Sequence, residues 1–215
     1  SHPGSKLVFA LFIILSSFLL TFLIGFLLAI PIFKVNLSEL NSVLSDYSDP
    51  GNLKFLKYLQ TIQSIGLFIV PAFIIGYLFS KKSVHYLKMN KKITPVTIVL
   101  CVLIFLSAIP MINALAHWNQ NMHFPEWLSG IENWMIEKEE SAKKLTESLL
   151  VMNSFGNLVF NLFMIAVLPA VGEELIFRGV FQRIFTEWTK NIHLGIIIAA
   201  ILFSSMHIQF YGFIP

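Results

Sequence analysis

The sequence has little charge and almost no cysteine. Lys, Arg, Asp and Glu make up 13% of the 215 residues, against roughly 25% in an average soluble domain. The single cysteine, Cys101, excludes an internal disulfide and a cysteine metal cluster. The sequence also lacks an Arg-rich tract and any basic stretch interleaved with aromatic residues. We therefore expect no nucleic-acid partner.

Two common hydrolase signatures are also missing. There is no His-Glu-x-x-His, which excludes a zincin-type zinc site, and no Gly-x-Ser-x-Gly, which argues against a serine nucleophile elbow. Repeats and low-complexity tracts are absent too. We expect one membrane-embedded domain over residues 1–215.

Long apolar runs dominate what is present. Five of them contain no Lys, Arg, Asp or Glu, and each could span the hydrocarbon core, which takes about 20 helical residues. These runs are Leu7–Phe33, Tyr58–Ser80, Ile93–Pro125, Ser148–Gly172 and Asn191–Pro215. The first is longer than a signal-peptide core and is interpreted as a retained helix. The predicted fold is all-α: a polytopic transmembrane helical bundle with at least five spans, in contact with the lipid bilayer.

Charges in the connecting segments predict the orientation of these spans. The segment after the second run has five lysines and no acid: Lys81, Lys82, Lys88, Lys91 and Lys92. Such a bias marks the cytoplasmic side, and alternation from there predicts a cytoplasmic N-terminus. The acidic segment Glu126–Glu147 then faces outward. Its apolar residues recur at helical spacing, which predicts an amphipathic helix, either on the membrane surface or packed over the protein.

Two adjacent carboxylates follow the fourth run. Glu174 and Arg178 are four residues apart, so on a helix they share a face and can pair. Glu173 points about 100° away. An unpaired carboxylate in apolar surroundings has a raised pKa, which suits a general base. The alternative is a helix end at the interface, with Glu-Glu-x-x-x-Arg as a solvated face.

His207 is the second unusual residue, because it lies in an otherwise charge-free apolar run. If the chain reverses near Asn191, Glu173 lies 18 residues before the turn and His207 lies 16 after it. In an antiparallel helix pair these positions reach similar depth. The pair is therefore a candidate site, although a lone histidine in a span also has purely structural uses.

Together these segments resemble the CAAX protease and bacteriocin-processing family. Glu173 to Arg178 matches the family's Glu-Glu-x-x-x-Arg motif, and Phe203 to His207 matches its Phe-x-x-x-His motif. The resemblance covers about the last quarter of the chain, with a motif region at 169–215. It implies an intramembrane endopeptidase of the Ras-converting type, acting on a peptide or protein substrate, here in a bacterial inner membrane.

The resemblance also implies roles for the site residues. Glu173 and His207 would be catalytic and activate water, while Glu174, Arg178 and Phe203 would support them. The family has been described both as metal-dependent and as metal-free. The cofactor is therefore either a divalent metal such as zinc, with Glu173 and His207 as candidate ligands, or none.

The sequence departs from the family pattern in one respect. The family has a further C-terminal motif, with a second His and a nearby Asn or similar residue, whereas this chain stops at Pro215. We therefore expect a chain truncated relative to the family, whose activity is in doubt. Two alternatives are a non-proteolytic scaffold or immunity protein on the same fold, and a transporter in which Glu173 and His207 relay protons.

Overall fold

A computed structural model of the protein describes residues 2–36, 38, 40–46, 49–90, 92–120, 125–152 and 154–206. These residues form helices, turns and irregular segments, with no strand among them. The helices are α1 (Pro3–Phe33), α2 (Leu40–Ser45), α3 (Pro50–Ser80), α4 (Ser83–Tyr86), α5 (Pro95–Gln120), α6 (Ser129–Leu149), α7 (Phe155–Thr189) and α8 (Ile192–Met206). The all-α prediction is confirmed.

Four of the described helices are long and apolar enough to cross a membrane: α1, α3, α5 and α7. Helix α8 is apolar but shorter, with 15 described residues, and the rest of the fifth predicted run lies outside the described residues. The predicted helical membrane bundle is confirmed, with four described helices of membrane-spanning length and one shorter apolar helix. Helix α6 occupies the acidic segment, where the sequence predicts an amphipathic helix.

Two helix boundaries differ from the charge-free runs. Helix α3 begins at Pro50, before Lys54 and Lys57, and α7 continues past Glu173 to Thr189. A charge-free run ends, by definition, at the first ionisable residue, so it sets the predicted helix boundary there. A helix continues through such residues as long as their side chains reach water or a partner. Pro3, Pro50 and Pro95 each occupy a first helical position, where the missing N–H costs nothing.

The described chain forms two compact units. The first is drawn from Ser1–Met89 and Lys143–Ala199, and the second from Asn90–Ala142 and Ala200–Pro215. The prediction of a single domain is not decided by this division and stays a prediction. In the second unit, the large apolar side chains of α5 are mostly exposed around the helix, as expected for a helix surrounded by lipid.

In the first unit, α1 and α3 are antiparallel and pack with α7. Phe9 near the start of α1 stacks on Phe79 near the end of α3, with ring centroids 6.2 Å apart. At the opposite ends of these helices, the centroids of Phe33 and Tyr58 are 5.4 Å apart. The core between the three helices contains Ala10, Ala29, Phe55, Ala72, Ile75, Met164, Ile176, Val180 and Ile184.

Three π-turns interrupt the described long helices, at Ile65–Ile69, Leu162–Val167 and Phe177–Phe181. Pro71 and Pro169 each follow one of the first two. Proline lacks an N–H and its ring collides with the carbonyl four residues earlier, so a widened turn is a natural accommodation. The third π-turn starts one turn after Glu173, and π-turns are frequent at functional sites.

Candidate active site

The Glu-Glu-x-x-x-Arg motif lies inside α7 and not at a helix end. Ser154 caps the start of α7, since its hydroxyl oxygen accepts a hydrogen bond from the Asn157 N–H at 3.2 Å. The apolar part of the helix follows, and the motif lies where this part gives way to charged residues. The motif is therefore not at a terminus of α7, while the alternative of a solvated face stays open, since the Glu174 and Arg178 side chains are exposed.

The two carboxylates of the motif have different surroundings. Glu174 Oε2 lies 3.0 Å from Arg178 Nη1, and the side chains are 54% and 73% exposed. This is the pair that the four-residue spacing predicts, and at such exposure it is worth about 0.2–1 kcal/mol. Glu173 is partly buried and has an interaction of its own, so it is not simply a free carboxylate beside a paired one.

The backbone hydrogen-bond pattern of α7 changes from α-helical to π-helical directly after the carboxylates. The Phe177 N–H donates to the carbonyl oxygens of both Glu173 and Glu174, at the start of the π-turn. Arg178 is the second residue of this turn, and Phe177, Val180 and Phe181 within it are buried. The buried side chains of the turn pack into the core of the first unit, while Arg178 lies at the surface beside Glu174.

Close packing of α7 on α3 places Glu173. Gly172 is buried against the π-turn of α3, where a Cβ atom on it would lie 2.7 Å from Phe68 Cβ and 3.4 Å from Ile69 Cδ1. Only glycine fits this approach without a shift of one helix. Sequence reasoning missed Gly172, although a glycine directly before two carboxylates in an apolar helix was an available signal.

The same π-turn of α3 packs equally closely on α1. A Cβ on Gly66 would collide with the hydroxyl of Thr21, which donates to the Ser17 carbonyl at 2.6 Å. Close contacts at glycine residues therefore run from α1 through α3 to α7. They make a tightly packed support behind Glu173, as is common where helices pack within membranes.

The other predicted site residues belong to the last helix and its continuation. Phe203 is partly buried near the end of α8. His207 lies outside the described residues, so its depth match with Glu173 stays a prediction. Among residues 2–206 as far as they are described, no three His, Cys, Asp or Glu side chains could together hold a metal ion. With His207 outside that set, a metal site at Glu173 also stays a prediction.

A cavity of about 330 Å³ lies beside the ion pair, and sequence reasoning did not predict Tyr86 or Arg183 as part of its lining. Glu174 and Arg178 line it together with Tyr86, Lys88 and Arg183. The Arg183 guanidinium lies 4.2 Å from the Tyr86 ring centroid, and its Nη1 donates to the Tyr86 carbonyl oxygen. Burial raises the pKa of the Tyr86 hydroxyl above its ordinary 10.0; Arg183 opposes this and Glu187 adds to it.

Comparison with known proteins identifies the segment that carries these residues. Residues 155–215 match the family model described as Type II CAAX prenyl endopeptidase Rce1-like. This segment is Rce1-like. The match covers a little over a quarter of the chain and includes Glu173, Glu174, Arg178, Phe203 and His207. No curated protein and no solved structure matches the chain. The family predicted from the two motifs is confirmed for this segment, and the Ras-converting type stays a prediction.

Proposed function

We propose that this protein is an intramembrane endopeptidase that hydrolyses a peptide bond of a membrane-associated substrate. The observation that carries the proposal is the Rce1-like match, which spans both motifs. The Rce1-like segment supports a CAAX protease type of function in general. The position of Glu173 within a helix long enough to cross a membrane adds to this, since carboxylates at such positions are energetically costly and those that occur usually serve a function.

In the proposed reaction, Glu173 is the general base. Its carboxylate accepts a proton from water as the water oxygen bonds to the scissile carbonyl carbon, whose oxygen becomes an oxyanion. His207 orients the same water. Collapse of the tetrahedral intermediate breaks the C–N bond, and the proton on Glu173 passes to the leaving nitrogen. The products are a new carboxylate and a new amine.

Glu174 and Arg178 have a positioning role in this proposal. Their ion pair at 3.0 Å holds the surface side of the turn that carries Glu173. Phe203, four residues before His207 in the sequence, is proposed to support it. Proton transfer requires atoms within hydrogen-bond reach, so small displacements of Glu173 matter.

The residues also suit a divalent metal in part. Glu173 and His207 are the residues that would hold an ion such as zinc, which supplies Lewis-acid activation of water when bound. Carboxylate oxygen and imidazole nitrogen are common zinc ligands, and a catalytic zinc usually takes three protein ligands. Cleavage measured before and after dialysis against a chelator, and after re-addition of zinc, distinguishes the metal-dependent from the metal-free reaction.

The test of the function is cleavage by the purified full-length protein in lipid nanodiscs. A library of fluorogenic lipidated peptides supplies the substrate, and Glu173→Gln and His207→Ala are compared with the parent protein. We expect either substitution to lower kcat/KM by at least about 10²-fold, as for loss of a general base. Glu187→Gln is the matched control, because it removes a carboxylate of the same helix that is paired with Lys6.

Undiminished cleavage in Glu173→Gln or His207→Ala would sink the assignment. A partner-binding scaffold, the alternative on the same fold, predicts instead that biological activity survives Glu173→Ala and depends on α6. Proton-coupled flux lost in Glu173→Gln, without cleavage of any peptide, would point to the transporter.

A further inference from the structure

Two cavities share a wall at one end of the first unit. The wider has a volume of about 560 Å³ and the narrower about 330 Å³. Tyr86, Lys88, Gln182 and Arg183 line both. We call these two cavities the basic groove. It lies where α1 begins, α3 ends and the charged end of α7 runs.

The acidic residues of the basic groove are already paired. Glu187 accepts from Lys6, whose Nζ lies 2.7 Å from both carboxylate oxygens, and Glu174 pairs with Arg178 at 3.0 Å. Within each pair the positive and negative charges balance. Its remaining positive charges have no carboxylate among the described lining residues to balance them.

The first of these charges is Arg183, whose guanidinium is held in place. It stacks over the Tyr86 ring at 4.2 Å and donates one N–H to the Tyr86 carbonyl oxygen. A guanidinium has five N–H donors in a planar fork, so most of the fork stays available to a ligand. Stacking also fixes the plane of the fork, which reduces the entropy lost when an anion binds.

The second charge is Lys88, which follows α4 with a positive φ of 57°. Its side chain is exposed, and no hydrogen bond or ion pair to its ammonium group is found among the described residues. Leu87 packs on Gly179 of the π-turn, where a Cβ would lie 2.8 Å from Leu87 Cδ2. This contact holds the short helix against α7, so that Lys88 and Arg183 line one groove.

We propose that the basic groove binds a phosphate group through Lys88 and Arg183, and that the phosphate belongs to a phospholipid headgroup. Arg and Lys are the residues that recognise phosphate in proteins, Arg through its fork and Lys as a point charge. The lipid source is favoured because two apolar residues line the wider cavity beside the charges: Phe79 at the end of the membrane-length helix α3, and Ile192 at the start of the shorter apolar helix α8. The inference does not depend on peptidase activity.

Thermal unfolding of the purified full-length protein in a non-ionic detergent tests the site. The ligands are dihexanoyl phosphatidic acid, dihexanoyl phosphatidylcholine and inorganic phosphate. A ligand that binds the folded state raises Tm with concentration. We expect phosphatidic acid to raise Tm saturably and phosphatidylcholine to raise it much less. Lys88→Gln should raise the apparent Kd for phosphatidic acid about tenfold.

Lys82→Gln is the matched control, because Lys82 is an exposed lysine of the same connecting segment that lines neither cavity. It should bind phosphatidic acid like the parent protein. Arg183→Lys keeps the charge and removes the fork, and we expect it too to weaken binding. The Tm of Arg183→Lys without ligand shows whether that variant is folded. If it is not, Lys88→Gln tests the site, because Lys88 is exposed and its replacement should not disturb folding.

The outcomes separate the two sources of phosphate. If inorganic phosphate raises Tm as much as phosphatidic acid does, and Lys88→Gln weakens both, the phosphate site stands and the ligand is a soluble phosphate. If phosphatidic acid has no effect, or if Lys88→Gln and Lys82→Gln respond alike, the proposal is overturned.

Discussion

At the scale of single residues, the space around Glu173 is set by its neighbour Gly172. A glycine at this position brings the α7 backbone against Phe68, and the carboxylate at the next position is placed by that contact. The sequence identifies Glu173 as chemically unusual. It does not show that the preceding glycine is in contact with α3, because that contact joins residues about a hundred positions apart.

We expect Gly172→Ala to destabilise the protein by about 1–3 kcal/mol, the usual cost of overpacking a core. The added Cβ would meet Phe68 Cβ at 2.7 Å, and since each Cβ is bonded directly to its helix backbone, neither can move aside cheaply. Thermal or denaturant unfolding in detergent measures the change. In the same helix, Gly156→Ala is the control, since a Cβ there meets only Ser154 Oγ at 3.9 Å. Equal stability of Gly172→Ala and the parent protein would contradict the packing argument.

Tyr86 leads to a prediction on pH. Burial raises the pKa of its hydroxyl above 10.0 in the folded state, so folding favours the neutral form. The stability associated with this group is fully present below pH 10 and is lost as pH rises through the folded pKa. We expect Tm to fall more steeply above pH 10 in the parent protein than in Tyr86→Phe. Parallel curves from pH 8 to about 11 would show that Tyr86 does not contribute.

At the scale of helices, one buried amide ties three of them together. Asn161 in α7 is 2% exposed. Its Oδ1 accepts from Lys57 Nζ of α3 at 2.8 Å, and its Nδ2 donates to the carbonyl of Leu149, the last residue of α6, at 2.9 Å. The amide therefore satisfies an ammonium group and a helix-terminal carbonyl at once. In the sequence, Asn161 is one polar residue in an apolar run and gives no sign of either partner.

Replacement of Asn161 by leucine removes both hydrogen bonds while keeping the branching and the number of side-chain heavy atoms. We expect Asn161→Leu to cost about 1–3 kcal/mol, because the buried Leu149 carbonyl and the partly buried Lys57 ammonium group both lose their hydrogen-bond partner. Asn157→Leu, one turn earlier and exposed, should change stability by less than about 0.5 kcal/mol. Unfolding experiments in detergent compare the two, and a larger loss in Asn157→Leu than in Asn161→Leu would refute the role of the buried amide.

At the scale of the whole molecule, positive charge collects at one end of the first unit. Lys6 of α1, Lys82 after α3 and Arg183 of α7 lie at the end where Phe9 packs on Phe79 and Lys6 pairs with Glu187. Three helices thus bring to one level the residues that the positive-inside rule assigns to one side. We propose that this end faces the cytoplasm, which places the N-terminus there.

Labelling of single cysteines tests this orientation. In a Cys101→Ser background, a membrane-impermeant maleimide should label Lys82→Cys in inverted vesicles and Lys54→Cys in intact spheroplasts. Lys82 and Lys54 are both exposed, and Lys54 lies near the start of α3, away from the basic end. The reverse pattern would place the N-terminus outside.

Apolar runs predicted the helical membrane fold, and the four-residue spacing predicted the Glu174–Arg178 pair, since both depend on local geometry alone. The paired motifs predicted the Rce1-like segment. The approach of Gly172 to Phe68, the π-turns, the Asn161 hydrogen bonds and the basic groove were decided only by the tertiary structure. Each of these depends on which residues distant in sequence meet. A sequence records the chemistry of its residues and their spacing along one helix, whereas contacts between helices follow from how the side chains of several helices pack together.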